Sequence, residues 1–92
     1  MDLDISPDEY ISGGNMGCPG CGAVLGMRHV LKIMGKRTIV VMPACCWSII
    51  CGPYPSTCVR VPLLHVPFET AAACAAGVRQ ALTRKGKKDI TV

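Results

Sequence analysis

The run KRTIVVMP, at residues 36–43, decides the fold of this chain. Its β-branched centre predicts a buried strand of about five residues that ends at Pro43. The stretch before it, AVLGMRHVLKIMG at 23–35, has apolar residues at helical spacing and a closing Gly35, so it predicts a helix. FETAAACAAGVRQALTRKG, at 68–86, predicts a second helix, because an acidic residue stands near its start and a glycine near its end.

The segments between and around these elements complete a predicted α/β unit. A cysteine-rich turn, ACCWSIICGPYP at 44–55, follows the strand, and a proline-punctuated extended stretch, VRVPLLHVP, follows at 59–67. KKDITV at 87–92 starts another strand. The order helix, strand, turn, helix, strand predicts parallel strands with flanking helices. Residues 1–16 contain few apolar side chains and a Gly-Gly pair, and are expected to form an extended N-terminal arm.

The composition predicts one small domain that is part of a larger protein or assembly. The chain has 92 residues, half of them apolar, yet only four are aromatic. Valine, isoleucine, leucine, alanine and methionine dominate instead, as is typical of a parallel sheet covered by helices. A chain this short buries only part of its apolar surface. We therefore expect a fragment, or one piece of a larger assembly.

The charge pattern argues against nucleic-acid binding. The net charge is +4, but most of the excess lies at the end of the second predicted helix, where cations complement the helix dipole. No aromatic side chains that could stack on bases are interleaved with this cluster. We interpret it as a solvated helix end, formed by Arg79, Arg84, Lys85, Lys87 and Lys88.

The cysteines and the apolar runs indicate the compartment. The N-terminus is acidic and polar, unlike a secretory signal, and no apolar run reaches the roughly 20 residues that a membrane span needs. Seven cysteines, an odd number without export, fit a disulfide framework poorly. The sequence therefore predicts a reducing, cytoplasmic location without membrane association, and cysteines used for metal or redox work.

The loop GCPGCG, at residues 17–22, is the main chemical motif. Two thiolates at this spacing suit one metal ion or one edge of an iron–sulfur cluster, and the glycines let backbone amides turn toward the sulfurs. A zinc ribbon would need a second CxxC, which the chain lacks. A thioredoxin-type dithiol normally follows a strand, and none is predicted before Cys18. A small zinc-stabilised interaction module stays open as the alternative to an iron–sulfur site.

From Gly17 to Val92 the chain resembles the N-terminal part of the β subunit of 2-oxoacid:ferredoxin oxidoreductases, above all the pyruvate:ferredoxin oxidoreductase (pyruvate synthase) type. The landmarks appear in order: the CxGCG loop, an RHVLKxxG helix, a TIVV strand with a following cysteine, PYP, an apolar-His segment and an AAAxAxG helix. The resemblance implies that residues 17–92 are the incomplete N-terminal portion of a thiamine-diphosphate-binding fold.

The resemblance also implies the cofactor sites. Cys18, Cys21 and Cys46 would ligate a [4Fe–4S] cluster, with the fourth ligand beyond Val92. Thiamine diphosphate would lie beside Ala23 and Cys46, and the Gly-Asp-Gly motif that holds Mg²⁺ and the diphosphate is expected beyond Val92. The resemblance assigns no catalytic side chain to this part of the chain.

The implied activity is CoA-dependent oxidative decarboxylation of pyruvate or a related 2-oxoacid, with electrons passing through the cluster to ferredoxin. The implied partners are an α subunit together with γ and ferredoxin-like δ subunits. The 92-residue chain alone is expected to be inactive. Where relatives tend to read ATGCLE, this chain reads PACCWS at 43–48, so the oxoacid is left open, and oxalate without CoA is included.

Other candidates have plainer interpretations. Cys45 is the alternative to Cys46 as a ligand. His65 is either a hydrogen-bonded structural residue or a neighbour of the cofactor, and His29 is expected at the surface. Trp47 is expected to pack over the cluster turn. Small buried side chains are expected at Cys51, Cys58 and Cys74.

Overall fold

The computed structural model describes residues 5–53 and 55–92. Residues 1–4 of the predicted arm and Tyr54, the centre of the PYP landmark, lie outside the described residues. These described residues contain three α-helices, two strands and one short 3₁₀ helix. Their order is α1 (Gly22–Met34), β1 (Val40–Pro43), α2 (Cys46–Cys51), β2 (Leu63–Val66), the 3₁₀ turn (Phe68–Thr70) and α3 (Ala71–Arg84).

The two strands pair in parallel, which confirms the predicted α/β class in its coarse form. Val40 pairs with Leu63 and Pro43 with Val66. On the other edge of the same segment, the amide of Ile39 donates to the carbonyl of Thr91 at 2.8 Å. Consecutive amides of an extended chain point to opposite edges, so the 38–43 segment lies between β2 and residue 91. Within the described residues, the strand predicted at 87–92 is thus present as one parallel bridge, from Thr38 to Thr91.

Both long helices begin and end close to their predicted positions. Gly35 follows α1 with a φ of +82°, a conformation that glycine adopts without a Cβ clash, and its amide donates to the carbonyl of Leu31 at 2.8 Å. Gly86, with a φ of +75°, follows α3. The part of the chain that the structure describes contains no helix long and apolar enough to cross a membrane.

Half of the predicted cysteine-rich turn, residues 46–51, is in fact a helix, α2. The Ser48 hydroxyl donates to the carbonyl of Pro43 at 2.9 Å. This hydrogen bond links the helix to the end of β1. Ile50 and Cys51 are buried, and Gly52 ends the helix with a φ of +73°. A helix of six residues is not stable by propensity alone. Burial of its inner side stabilises it, and that contribution is invisible to a local reading of the sequence.

The described part of the N-terminal arm, residues 5–16, contributes to the core. Ile11 forms an antiparallel bridge with Val59, and the amide of Ser12 donates to the carbonyl of Cys58 at 2.8 Å. The arm therefore covers one side of the core cluster. That cluster consists of Ile11, Leu31, Met42, Cys51, Cys58, Val59 and Val61.

Much of the apolar surface of the helices remains uncovered. Leu31 is the one buried residue of α1 and α3 has none, whereas Leu25, Val30 and Ile33 of α1 are exposed. Between the two helices an open apolar cleft of about 380 Å³ lies against the sheet. Its lining includes Met27, Val30, Met34, Ala71, Ala72, Ala75 and Val92.

Leu31 tests whether α1 is held by this core. The side chain is 2% exposed, so Leu31→Ala should lower the free energy of unfolding by about 2–5 kcal/mol through lost burial and an unfilled cavity. Ile33→Ala, on the same helix but 72% exposed, is the matched control and should change it little. Urea unfolding of the purified protein measures both, and equal effects would contradict the assignment of Leu31 to the core.

An ion cluster fastens the arm to α1. The Glu9 carboxylate accepts from Arg28 Nη2 at 2.6 Å and Nε at 2.9 Å, and lies 2.9 Å from Lys32 Nζ. Hydrogen bonds from Arg28, and next from Lys32, lower the pKa of Glu9 from 4.5 to about 2. Folding therefore favours the ionised form of the Glu9 carboxyl group.

The pH dependence of stability should reveal this cluster. Because the pKa of Glu9 is depressed in the folded state, its contribution is complete above about pH 4.5 and is lost as the pH falls toward about 2. Glu9→Gln should be less stable than the unsubstituted protein at pH 7, and the gap should close across that window and in high salt. Asp8→Asn, a neighbouring carboxylate without an ion pair to any described residue, is the control. A gap that is independent of pH would refute the electrostatic origin.

Candidate functional site

The CxxC loop, residues 17–22, is one tight turn that leads directly into α1. The amide of Cys21 donates to the carbonyl of Cys18 at 3.0 Å, and the Cys21 carbonyl accepts from the Leu25 amide at 3.2 Å as the first bond of the helix. Gly20 has a φ of +76°, which the turn requires and which L side chains rarely adopt. Both thiols are thereby carried on one rigid turn at the start of a helix.

The loop is held against the arm and the helix by Asn15. Its Oδ1 accepts from the Gly17 amide at 2.9 Å, and its Nδ2 donates to the Ser12 carbonyl at 3.3 Å. A Cβ on Gly17 would lie 2.5 Å from Val24 Cγ2 and 2.8 Å from Asn15 Oδ1. We did not identify Asn15 from the sequence, although an Asn two residues before a glycine is a recognisable turn signal.

The loop thiols are open to a ligand. Cys18 is exposed and Cys21 is half-buried. Beside them lies an open cleft of about 370 Å³. Its lining consists of Asn15, Cys18, Gly20, Cys21, Val24, Leu25 and Arg28. Metal or cluster ligation needs accessible sulfur and a backbone whose amides can approach it, and a glycine-rich turn provides both.

Cys45 and Cys46 have different surroundings. Cys45 packs against the core, while Cys46, the first residue of α2, is exposed. Because the chain changes from strand to helix between β1 and α2, Cys45 faces the core and Cys46 faces outward. Of the two candidate ligands, Cys46 is therefore the one whose sulfur is accessible.

The structure does not bring Cys46 together with the CxxC loop into a single-ion site. Across residues 5–53 and 55–92, no three His, Cys, Asp or Glu side chains group closely enough to hold one metal ion. An iron–sulfur cluster is larger than an ion, and each of its thiolate ligands binds a different iron atom. Cys18 and Cys21 on one turn, together with the accessible Cys46, are thiol donors of the kind that iron–sulfur clusters bind.

The remaining candidates have ordinary contacts. Ala23 is an exposed residue in the first turn of α1. The His65 ring lies with Nε2 3.3 Å from the Gly52 carbonyl oxygen, which fits the structural alternative, and His29 is exposed as expected. Trp47 is half-buried against the core, and Cys74 is half-buried on α3 rather than fully buried.

Two further cysteines are inside the core, as predicted. Cys51 is 1% exposed and Cys58 is 6% exposed. Burial, together with the neighbouring Cys58 and Cys45, raises the pKa of Cys51 to about 11, and burial also raises the pKa of Cys58. These two thiols are neutral at physiological pH, unlike typical metal-ligating or nucleophilic thiolates.

Comparison with known proteins gives clear relatives, although no protein-family model matches the chain. It is 46% identical over 90 residues to the pyruvate synthase subunit PorB of Methanothermobacter thermautotrophicus, which covers 98% of this chain and 31% of that subunit. It is 47% identical over 81 residues to the ketoisovalerate oxidoreductase subunit VorB of Pyrococcus furiosus, covering 88% of this chain and 26% of that subunit. PorB of Methanothermobacter marburgensis is 42% identical over 90 residues.

The predicted resemblance is thus confirmed. Over nearly its whole length the chain is homologous to PorB and VorB, which are named as subunits of pyruvate synthase and of ketoisovalerate oxidoreductase. The chain spans about a third of the length of PorB.

Gly17 tests how the loop is held. Gly17→Ala inserts a methyl group against Val24 and Asn15, and overpacking of this kind should lower the free energy of unfolding by about 1–3 kcal/mol. Gly22→Ala is the matched control, because a Cβ there meets nothing within 4 Å and alanine favours the helix that starts at this residue. Thermal unfolding of the two variants measures the difference. A neutral Gly17→Ala would show that the loop is not fastened to α1.

Proposed function

We propose that this chain is part of the β subunit of a 2-oxoacid:ferredoxin oxidoreductase. The complete enzyme would carry out CoA-dependent oxidative decarboxylation of pyruvate or a related 2-oxoacid and pass the electrons to ferredoxin. The observation that carries the proposal is the 46% identity to a pyruvate synthase subunit over 98% of the chain. Since the chain matches about a third of that subunit, the activity belongs to the longer protein and its partners.

The role of this segment would be to hold one side of a [4Fe–4S] cluster through Cys18, Cys21 and Cys46. Three features support this assignment: two of the thiols share one turn, Cys18 and Cys46 are exposed, and the turn contains glycines whose amides can hydrogen-bond to sulfur. Cys51 and Cys58 are buried in the core and unsuited to be the fourth ligand. The fourth ligand would come from a part of the subunit outside these 92 residues.

Ala23 and Cys46 would lie beside thiamine diphosphate. Thiamine diphosphate, bound with Mg²⁺ by residues outside this chain, would supply the electron sink for decarboxylation. Ala23 contributes a small side chain at the exposed first turn of α1, which leaves room for a neighbouring group. A cluster close to that position is required because electrons leave the cofactor one at a time, and burial and amide hydrogen bonds would set its potential.

The substrate would be pyruvate or a closely related 2-oxoacid. The identity is 46% to a pyruvate synthase subunit and 47% to a ketoisovalerate oxidoreductase subunit. These nearly equal identities do not distinguish pyruvate from ketoisovalerate as the substrate. Trp47, in the stretch that departs from the pyruvate pattern, packs against the core. Oxalate is distinguishable by assay, because its oxidation would need no CoA. The partners would be an α subunit, γ and ferredoxin-like δ subunits, and ferredoxin, all in the cytoplasm.

Metal and sulfide content tests the cluster assignment. The protein, purified anaerobically with the subunits that accompany it, should contain iron and acid-labile sulfide in equal amounts, about four of each per site. Cys46→Ser should lose the share that belongs to this site, about four of each, because it removes a thiolate ligand. Cys45→Ser is the matched control one residue away and should keep them, since its side chain packs against the core.

Other results would point elsewhere. Stoichiometric zinc without sulfide would favour the small zinc-stabilised module that the CxxC loop alone allows. Loss of iron from Cys45→Ser but not from Cys46→Ser would reverse the assignment of the third ligand.

A further inference from the structure

Cys51 and Cys58 lie side by side, although they belong to different segments. Cys51 is the last residue of α2, and Cys58 lies in the segment that pairs with the arm. The Cys58 amide donates to the Cys51 carbonyl at 2.9 Å. The Cys58 thiol donates to the Ile50 carbonyl at 3.4 Å, and both cysteines belong to the same buried cluster.

We propose that Cys51 and Cys58 are a modification site, a thiol pair that closes into an intramolecular disulfide when the protein meets an oxidant of the peroxide class. The pair is separate from the proposed cluster ligands, and the inference does not rest on the proposed function.

The geometry favours this particular pair. A disulfide needs Cα atoms roughly 4.4–6.8 Å apart, and a direct amide-to-carbonyl hydrogen bond between the same two residues holds their backbones within that range. Both side chains point into the same core cluster. Cys45 is also near Cys51, but it lies across the start of α2, and no backbone hydrogen bond joins the two among the described residues. The bond should therefore form between Cys51 and Cys58.

The reaction balances with one peroxide. The Cys58 thiol, the more exposed of the two, gives up its proton, and its sulfur attacks one peroxide oxygen. The O–O bond breaks and the proton joins the leaving oxygen, which gives a sulfenic acid and one water. The sulfur of Cys51 then attacks the sulfenic sulfur, the S–O bond breaks, and a second water leaves with the thiol proton. Two thiols and one peroxide thus yield one disulfide and two waters. Burial and the raised pKa values of both thiols make this reaction slower than that of an exposed thiolate.

The bond would tie α2 to the arm. Cys58 accepts a hydrogen bond from Ser12 of the arm, and Cys51 ends the helix that begins with Cys46. Oxidation would therefore fix the end of α2 to the segment that supports the CxxC loop through Asn15 and Ser12.

Peptide mass measures this bond directly. The protein, purified anaerobically with its accompanying subunits, is treated with hydrogen peroxide, quenched, and alkylated in denaturant at acidic pH to prevent thiol exchange. Cleavage after Trp47 and Arg60 releases residues 48–60, in which Cys51 and Cys58 are the two cysteines. We expect this peptide unalkylated and two hydrogens lighter than its dithiol form, and doubly alkylated when peroxide is omitted or when dithiothreitol precedes alkylation.

Variants and alternative outcomes make the test decisive. Cys58→Ala should abolish the lighter peptide and leave Cys51 alkylated, whereas Cys74→Ala, a half-buried cysteine on α3, should leave the lighter peptide unchanged. Oxidation of Met16, which is 73% exposed, to its sulfoxide in the same sample confirms that peroxide reached the protein. A doubly alkylated 48–60 peptide after that oxidation would overturn the proposal. A cross-link from Cys51 to the peptide that contains Cys45 would overturn it as well.

Discussion

Hydrogen bonding on both edges of the 38–43 segment is the constraint on which the rest of the structure depends. Val40 donates to Pro62 on the side of β2, and Ile39 donates to Thr91 on the other side. A buried strand must satisfy its backbone groups in this way, since unpaired amides are costly away from water. The pairing sets where the strand ends, and Cys45 and Cys46 follow that end directly. Sites in parallel α/β proteins form at the carboxyl ends of strands, which is where Cys46 lies.

Elements with strong local signals were predictable from the sequence, and elements that depend on distant partners were not. The first long helix, the strand at 36–43 and the helix at 68–86 follow from apolar spacing, β-branching and terminal glycines. β2 was expected only as an extended stretch, because four residues between Pro62 and Pro67 carry little strand signal by themselves. α2 was missed for a related reason, since buried Ile50 and Cys51 stabilise it through tertiary contacts. The pairing of the arm with residues 58–60 has no local signal.

In the candidate site, too, some features were predictable from the sequence and others were not. The tight turn of the CxxC loop follows from its cysteine spacing and glycines. The hydrogen bonds of Asn15 and the close approach of Val24 to Gly17 depend on how the arm returns to α1, and spacing does not encode that return. Which of two adjacent cysteines faces outward depends on the rotation between β1 and α2. Family resemblance chose Cys46, and its exposure is consistent with that choice.

The pairing pattern has a consequence for the order of folding. β1 pairs with β2, the arm pairs with the segment at 58–60, and Thr38 pairs with Thr91. All three join residues far apart in the chain, so each closes a long loop before it gains any hydrogen bond. The helices α1 and α3 need no such closure and can form early. The sheet therefore assembles late, and until then the apolar faces of both helices remain open to wrong partners.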